Sequence, residues 1–169
     1  MEYILRRSER KTISVQVTDE LAVLVRAPNR LSQGQIDAFV RAHEAWIQRR
    51  IERIRAHRAR YPEPDAQELA RLQALARAQL PARVAHYSRI MGLTAESVRI
   101  TLAAKRFGSC TGSRLCFSAR LMRYPQEAVD YVVVHELAHI RHKNHGREFY
   151  ACIEKVLPDY RERIKLLKE

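Results

Sequence analysis

Two histidines and a glutamate set the chemistry open to this chain. His135 and His139 lie four residues apart. Around them Val129, Val132, Val133, Leu137 and Ile140 recur at helical spacing, so the segment reads as a largely buried helix opened by Pro125. Two imidazoles one turn apart on a helix face can close on a single metal ion. Glu136 follows the first histidine, where its carboxylate can reach a metal-bound water. This H-E-x-x-H pattern supplies two ligands and a general base, the parts needed for hydrolytic attack on a polarised carbonyl. Without a metal, a buried pair of imidazoles and a carboxylate would be costly.

Such a site needs a third protein ligand and an open position for water. His142 and His145 compete for that place. On a straight helix the Cα atoms of His135 and His142 would sit roughly 10 Å apart with His139 between them, which suits a tetrahedron poorly. His145 is better placed if the helix ends near residues 141–144 and the chain turns back. Asn144 tolerates a left-handed turn and can cap a following helix. Imidazole ligands favour Zn2+, although such sites also accept Ni, Co or Fe. Glu148, three residues after His145, is a candidate to orient a ligand from behind. Arg106, Tyr131, His142 and Tyr150 are candidates to assist at the developing oxyanion. His43, His57 and His86 are isolated and read as ordinary histidines.

The elements that must position these groups follow from the pattern. Ile13, Val15 and Val17 alternate, and 21–25 is a buried-strand run, so the two form a hairpin across Asp19-Glu20. Pro28-Asn29 ends it. A long helix capped by Ser32 is expected to carry Ile36, Phe39, Val40, His43, Trp46, Ile47, Ile51 and Ile54 on its inner stripe and Arg49, Arg50, Arg53, Arg58 and Arg60 outside. Tyr61-Pro62-Glu63-Pro64 breaks the chain. A helical stretch from Asp65 to Met91 follows, with Pro81 starting a fresh segment and Gly92 closing it. Residues 97–102 and 115–119 read as strands, with a loop or strand edge over 104–110 between them. A lobe of about residues 1–62 thus precedes a catalytic part of about 63–169, the whole forming one α+β domain.

The chain has 169 residues, of which 46% are hydrophobic and 30% charged, enough to bury a core without disulfides. Its net charge is +12. That excludes an acidic solvating chain and leaves nucleotides or nucleic acid as possible partners beside a peptide or protein substrate. Residues 1–60 hold 13 cations and 7 anions, so half of the excess lies outside the segment carrying the chemistry. Metal-dependent cleavage of a phosphoanhydride is therefore an alternative to peptide hydrolysis. However, no glycine-rich phosphate loop appears, and the H-E-x-x-H geometry suits a neutral carbonyl. Three cysteines without C-x-x-C spacing fit a reducing cytoplasm. No apolar run approaches a membrane span.

Several stretches resemble the YgjP-like metallopeptidase family, a minimal bacterial zincin group related to SprT-like proteins. RFGSC (Arg106 to Cys110) is similar to its Arg-Trp-Gly-Ser-Cys signature, with Phe107 in place of Trp. The segment from Asp130 to Tyr150 is similar to its catalytic segment, and RRSERKTISVQV, VRAPNRLS and Ala45-Trp46-Ile47 extend the likeness over nearly the whole chain. The spacing of His135, His139 and His145 is also that of metzincin ligands, except that His142 stands where those proteins require glycine. The resemblance implies a zincin-like core, with a small twisted sheet, an active-site helix and flanking helices. It places Arg106, Gly108, Ser109 and Cys110 at the cleft, on an edge strand able to hold an extended peptide. It also leaves open a SprT-like protease acting near nucleic acid.

Overall fold

The structure is a computed structural model that describes residues 1–167. The chain divides into two compact units, Met1–Pro62 and Glu63–Glu169. Its architecture is α+β, with six α-helices and two three-stranded sheets among the described residues.

In the first unit, β1 (Ile4–Ser8), β2 (Ser14–Val17) and β3 (Val23–Pro28) form a sheet ordered β1-β3-β2. The expected hairpin is present: β2 runs antiparallel to β3 with Val15 opposite Val25. Its turn is closed by Thr18 N–H donating to Ala22 O at 2.8 Å, and Leu21 takes a left-handed φ of 66°. β1 pairs with β3 in parallel, a long-range pairing with no local signal. Ser32 caps α1 (Gln33–Ala42) in a reciprocal box with Gln35, which satisfies otherwise orphaned N–H groups.

The long helix expected after Ser32 is two helices, α1 and α2 (Glu44–Arg60). His43 causes the break. Its ring Nδ1 donates to Phe39 O at 2.8 Å, the carbonyl that its own N–H would take in an α-helix. That N–H turns to Val40 O instead, at 3.1 Å. Val25, Ala27, Ile36 and Ile47 are fully buried in this unit's core.

In the second unit, Asp65 caps α3 (Ala66–Met91). The expected restart at Pro81 does not occur: α3 runs through it. Pro81 sits on the exposed face, while Leu80 and Val84 pack into the core on either side and outweigh one lost backbone bond. Gly92 ends the helix with φ 60°, as expected of a C-terminal cap. The strands β4 (Ser97–Thr101), β5 (Gly108–Thr111) and β6 (Arg114–Ser118) are ordered β4-β6-β5. β5, read from the spacing as a loop or strand edge and from the resemblance as an edge strand, is an edge strand antiparallel to β6.

After a short 3-10 turn (Ala119–Arg123) come α4 (Gln126–Arg141), α5 (Arg147–Val156) and α6 (Tyr160–Leu166). Ten of the sixteen residues of α4 are buried, so its polar side chains must find partners inside. Asp130 does so fully. Arg83 of α3 grips it with two bonds, Nε to Oδ1 at 2.8 Å and Nη2 to Oδ2 at 2.6 Å. Tyr87 and Gln126 donate at 3.0 and 2.8 Å. This forked ion pair fixes α4 against α3, five residues before His135.

Candidate metal centre

α4 carries His135, Glu136 and His139 and ends at Arg141, within the range the sequence indicated. The chain then turns so that His145 folds back onto the helix. His145 Nε2 lies 3.2 Å from His135 Nε2 and 3.0 Å from His139 Nε2. Among the described residues these three form the one cluster of ligand-type side chains able to hold a metal ion.

The return does not use Asn144 as expected. Leu21 is the sole non-glycine residue with positive φ among those described, and Gly146, not Asn144, stands at the start of α5, which has no side-chain cap.

The other ring nitrogens show what this convergence requires. His139 Nδ1 donates to His142 O at 3.0 Å. A carbonyl only accepts, so Nδ1 holds the proton and Nε2 presents a bare lone pair to its neighbours. His135 Nδ1 is bonded to Tyr131 Oη at 3.2 Å. Burial, followed by the neighbouring imidazoles, pushes the His135 pKa down to about 4. Burial also lowers that of His139. Both are therefore neutral near pH 7, the state that ligates metals. A tetrahedral ion bound at about 2.0–2.1 Å needs nitrogens roughly 3.3 Å apart. The observed spacings and the inward lone pair of His139 fit a divalent cation.

Phe149, fully buried on α5, was not singled out from sequence. Its ring lies 4.9, 4.6 and 4.8 Å from those of His135, His139 and His145, and so forms an apolar floor beneath all three. In the sequence it reads as one more core aromatic.

Glu136 is 6% exposed, and burial alone raises its carboxyl pKa to about 7. It lies against the backbone of β5 at Gly108. Cys110 shares that face of β5 by strand alternation. Its Sγ donates to Gly112 O and stands outside the histidine cluster. Ser109 falls on the opposite face and, with Arg106, Lys105 and Thr101, lines a separate groove of about 460 Å³.

His142 caps α4, and its ring turns to Glu148 with Nδ1 3.8 Å from Oε2. Glu148, the candidate for orienting a ligand, thus faces His142. Tyr150 is half exposed, with its ring 6.4 Å from that of His145 and stacked on Tyr160. No helix of the described residues is long and apolar enough to cross a membrane.

Known proteins supply a context for this arrangement. None of the curated proteins compared with the chain matches it. Among solved structures, the crystal structure of the metallopeptidase zymogen of Pyrococcus abyssi abylysin is similar. It shares 22% identity and a TM-score of 0.46 over 50% of this chain and 88% of that one. Residues 11–72 and 66–169 match the YgjP-like, metallopeptidase domain family. These segments take in the whole of the β4-β6-β5 sheet with its Gly108 strand and all three converging histidines, and the chain belongs to the YgjP-like metallopeptidase domain family.

Proposed function

We propose that this chain is a zinc-dependent peptidase in which His135, His139 and His145 hold one cation and Glu136 is the general base. The observation that carries the reading is the meeting of three Nε2 atoms at 3.0 and 3.2 Å while His139 Nδ1 is committed to a carbonyl. When bound, the cation supplies Lewis-acid polarisation of the scissile carbonyl and acidifies the attacking water.

Glu136 takes the proton from that water at a carboxylate oxygen and passes it to the leaving amine nitrogen. In the metal-free fold burial pushes this carboxyl up to about 7, which favours its taking up a proton. Its buried seat beside β5 keeps bulk water from competing.

β5 supplies the substrate's place. It is an edge strand, and its Gly108 backbone touches Glu136. An extended peptide adding to that edge would pair through main-chain bonds and bring a peptide carbonyl beside the carboxylate. This geometry supports a peptide or protein substrate over a nucleotide phosphoanhydride.

Glu136→Gln keeps the side chain's shape and removes the base. It should retain metal and lose peptide hydrolysis by about 10²- to 10⁴-fold. Nucleoside triphosphates assayed in parallel should not be hydrolysed. A fully active Glu136→Gln enzyme would sink the mechanism.

A further inference from the structure

The two helix histidines are held differently. His139 Nδ1 meets a backbone carbonyl, His142 O, at 3.0 Å. His135 Nδ1 meets a phenol, Tyr131 Oη, at 3.2 Å. A carbonyl accepts and nothing else, whereas a phenol oxygen can accept or donate. Tyr131 is 7% exposed and lies one helical turn before His135 on the same face of α4. Phe149 also packs against the His135 ring, with centroids 4.9 Å apart, and offers no acceptor.

We propose that Tyr131 is a positioning residue for His135: its hydroxyl oxygen accepts the Nδ1–H and leaves the Nε2 lone pair free to face His139 and His145. This rests on the metal-site reading above. The two ring nitrogens point to different sides of the imidazole. A hydroxyl held at Nδ1 therefore lies behind the ring, away from the point where the three Nε2 atoms meet. Tyr131, one of the four groups named as candidates to assist at the oxyanion, thus acts through His135 and not on the substrate.

The test compares the full chain with Tyr131→Phe, metal-free and loaded with zinc, by NMR of isotope-labelled histidine ring nitrogens and by chelator competition. Metal-free, the variant should shift the His135 ring-nitrogen signals and leave His139 protonated on Nδ1. With zinc, the parent should show a His135 Nδ1–H protected from exchange. The variant should lose that protection and bind zinc about 10- to 100-fold more weakly. An unchanged His135 signature, an unchanged zinc affinity, or no protected Nδ1–H in the parent would each overturn the proposal. The last is read on unaltered protein, so misfolding of the variant cannot hide it. If His139→Ala binds zinc as tightly as the parent, the metal-site reading fails instead, and the metal-free tautomer comparison still decides the role of Tyr131.

Discussion

Gly108 and Glu136 are in direct contact through a missing atom: a Cβ on Gly108 would stand 2.6 Å from both Cγ and Oε1 of Glu136. Real Cβ atoms do not come so close. Gly108 has no left-handed φ, so its requirement for glycine is one of space. The strand expected to hold substrate and the carboxylate expected to move the proton thus share one packed surface. Gly108→Ala should push the carboxylate aside while the three histidines, none of which supplies the atoms nearest that Cβ, keep their metal. A displacement near 1 Å costs roughly 10²-fold in rate. Metal analysis beside a peptide-hydrolysis assay checks this, and a Gly108→Ala enzyme as fast as its parent would show that the close approach is dispensable.

The forked ion pair under α4 makes a separate prediction about stability. Asp130→Ala leaves Arg83, Tyr87 and Gln126 with donors aimed at nothing. Removing one partner of a buried pair costs about 3–5 kcal/mol. The Arg83 side chain is 32% exposed and can partly rehydrate, so a loss of about 3 kcal/mol is expected, at the lower end of that range. Urea unfolding of the metal-free proteins would measure it. A loss below about 1 kcal/mol would mean the pair behaves like a surface contact.

The ionisable groups at the centre act oppositely on stability in acid. His135 has a pKa near 4 in the fold against an ordinary 6.5. The unfolded chain therefore binds its proton first, and stability present above pH 6.5 is lost as pH falls toward 4. His139, also lowered, adds to that loss. Glu136 has a pKa near 7 in the fold against 4.5. The folded chain binds this proton first, which relieves a buried charge as pH falls from 7 to 4.5. In the metal-free parent the two effects offset each other. Glu136→Gln removes one of them, so its stability should fall steadily from pH 6.5 to 4, and more steeply than the parent's. Denaturant midpoints at a series of pH values report this; parallel curves for the two proteins would contradict it.

What was legible in the sequence follows from how local each signal is. The Ser32 cap, the Gly92 terminator and the β2–β3 hairpin are set by a few neighbouring residues, and the structure has them. The approach of His145 was inferred from ligand geometry and the length of the return. The failures are long-range or concern side chains that compete with the backbone. Nothing near Pro81 announces that Leu80 and Val84 will hold α3 together through it. The break at His43 depends on one imidazole taking the Phe39 carbonyl. Arg83 and Asp130 are 47 residues apart, and neither position carries a mark of its partner. The seat of Glu136 against Gly108 requires β5 to be an edge strand lying on α4, which the spacing of glycines alone does not specify.

The central claim is that His135, His139 and His145 together hold one metal ion. Elemental analysis of the purified protein beside His145→Ala and His142→Ala tests it most directly. The parent and His142→Ala should each carry about one metal per chain, and His145→Ala should carry almost none, because a site of this kind needs its third protein ligand. Metal retained in full by His145→Ala, or lost in His142→Ala instead, would contradict the site described.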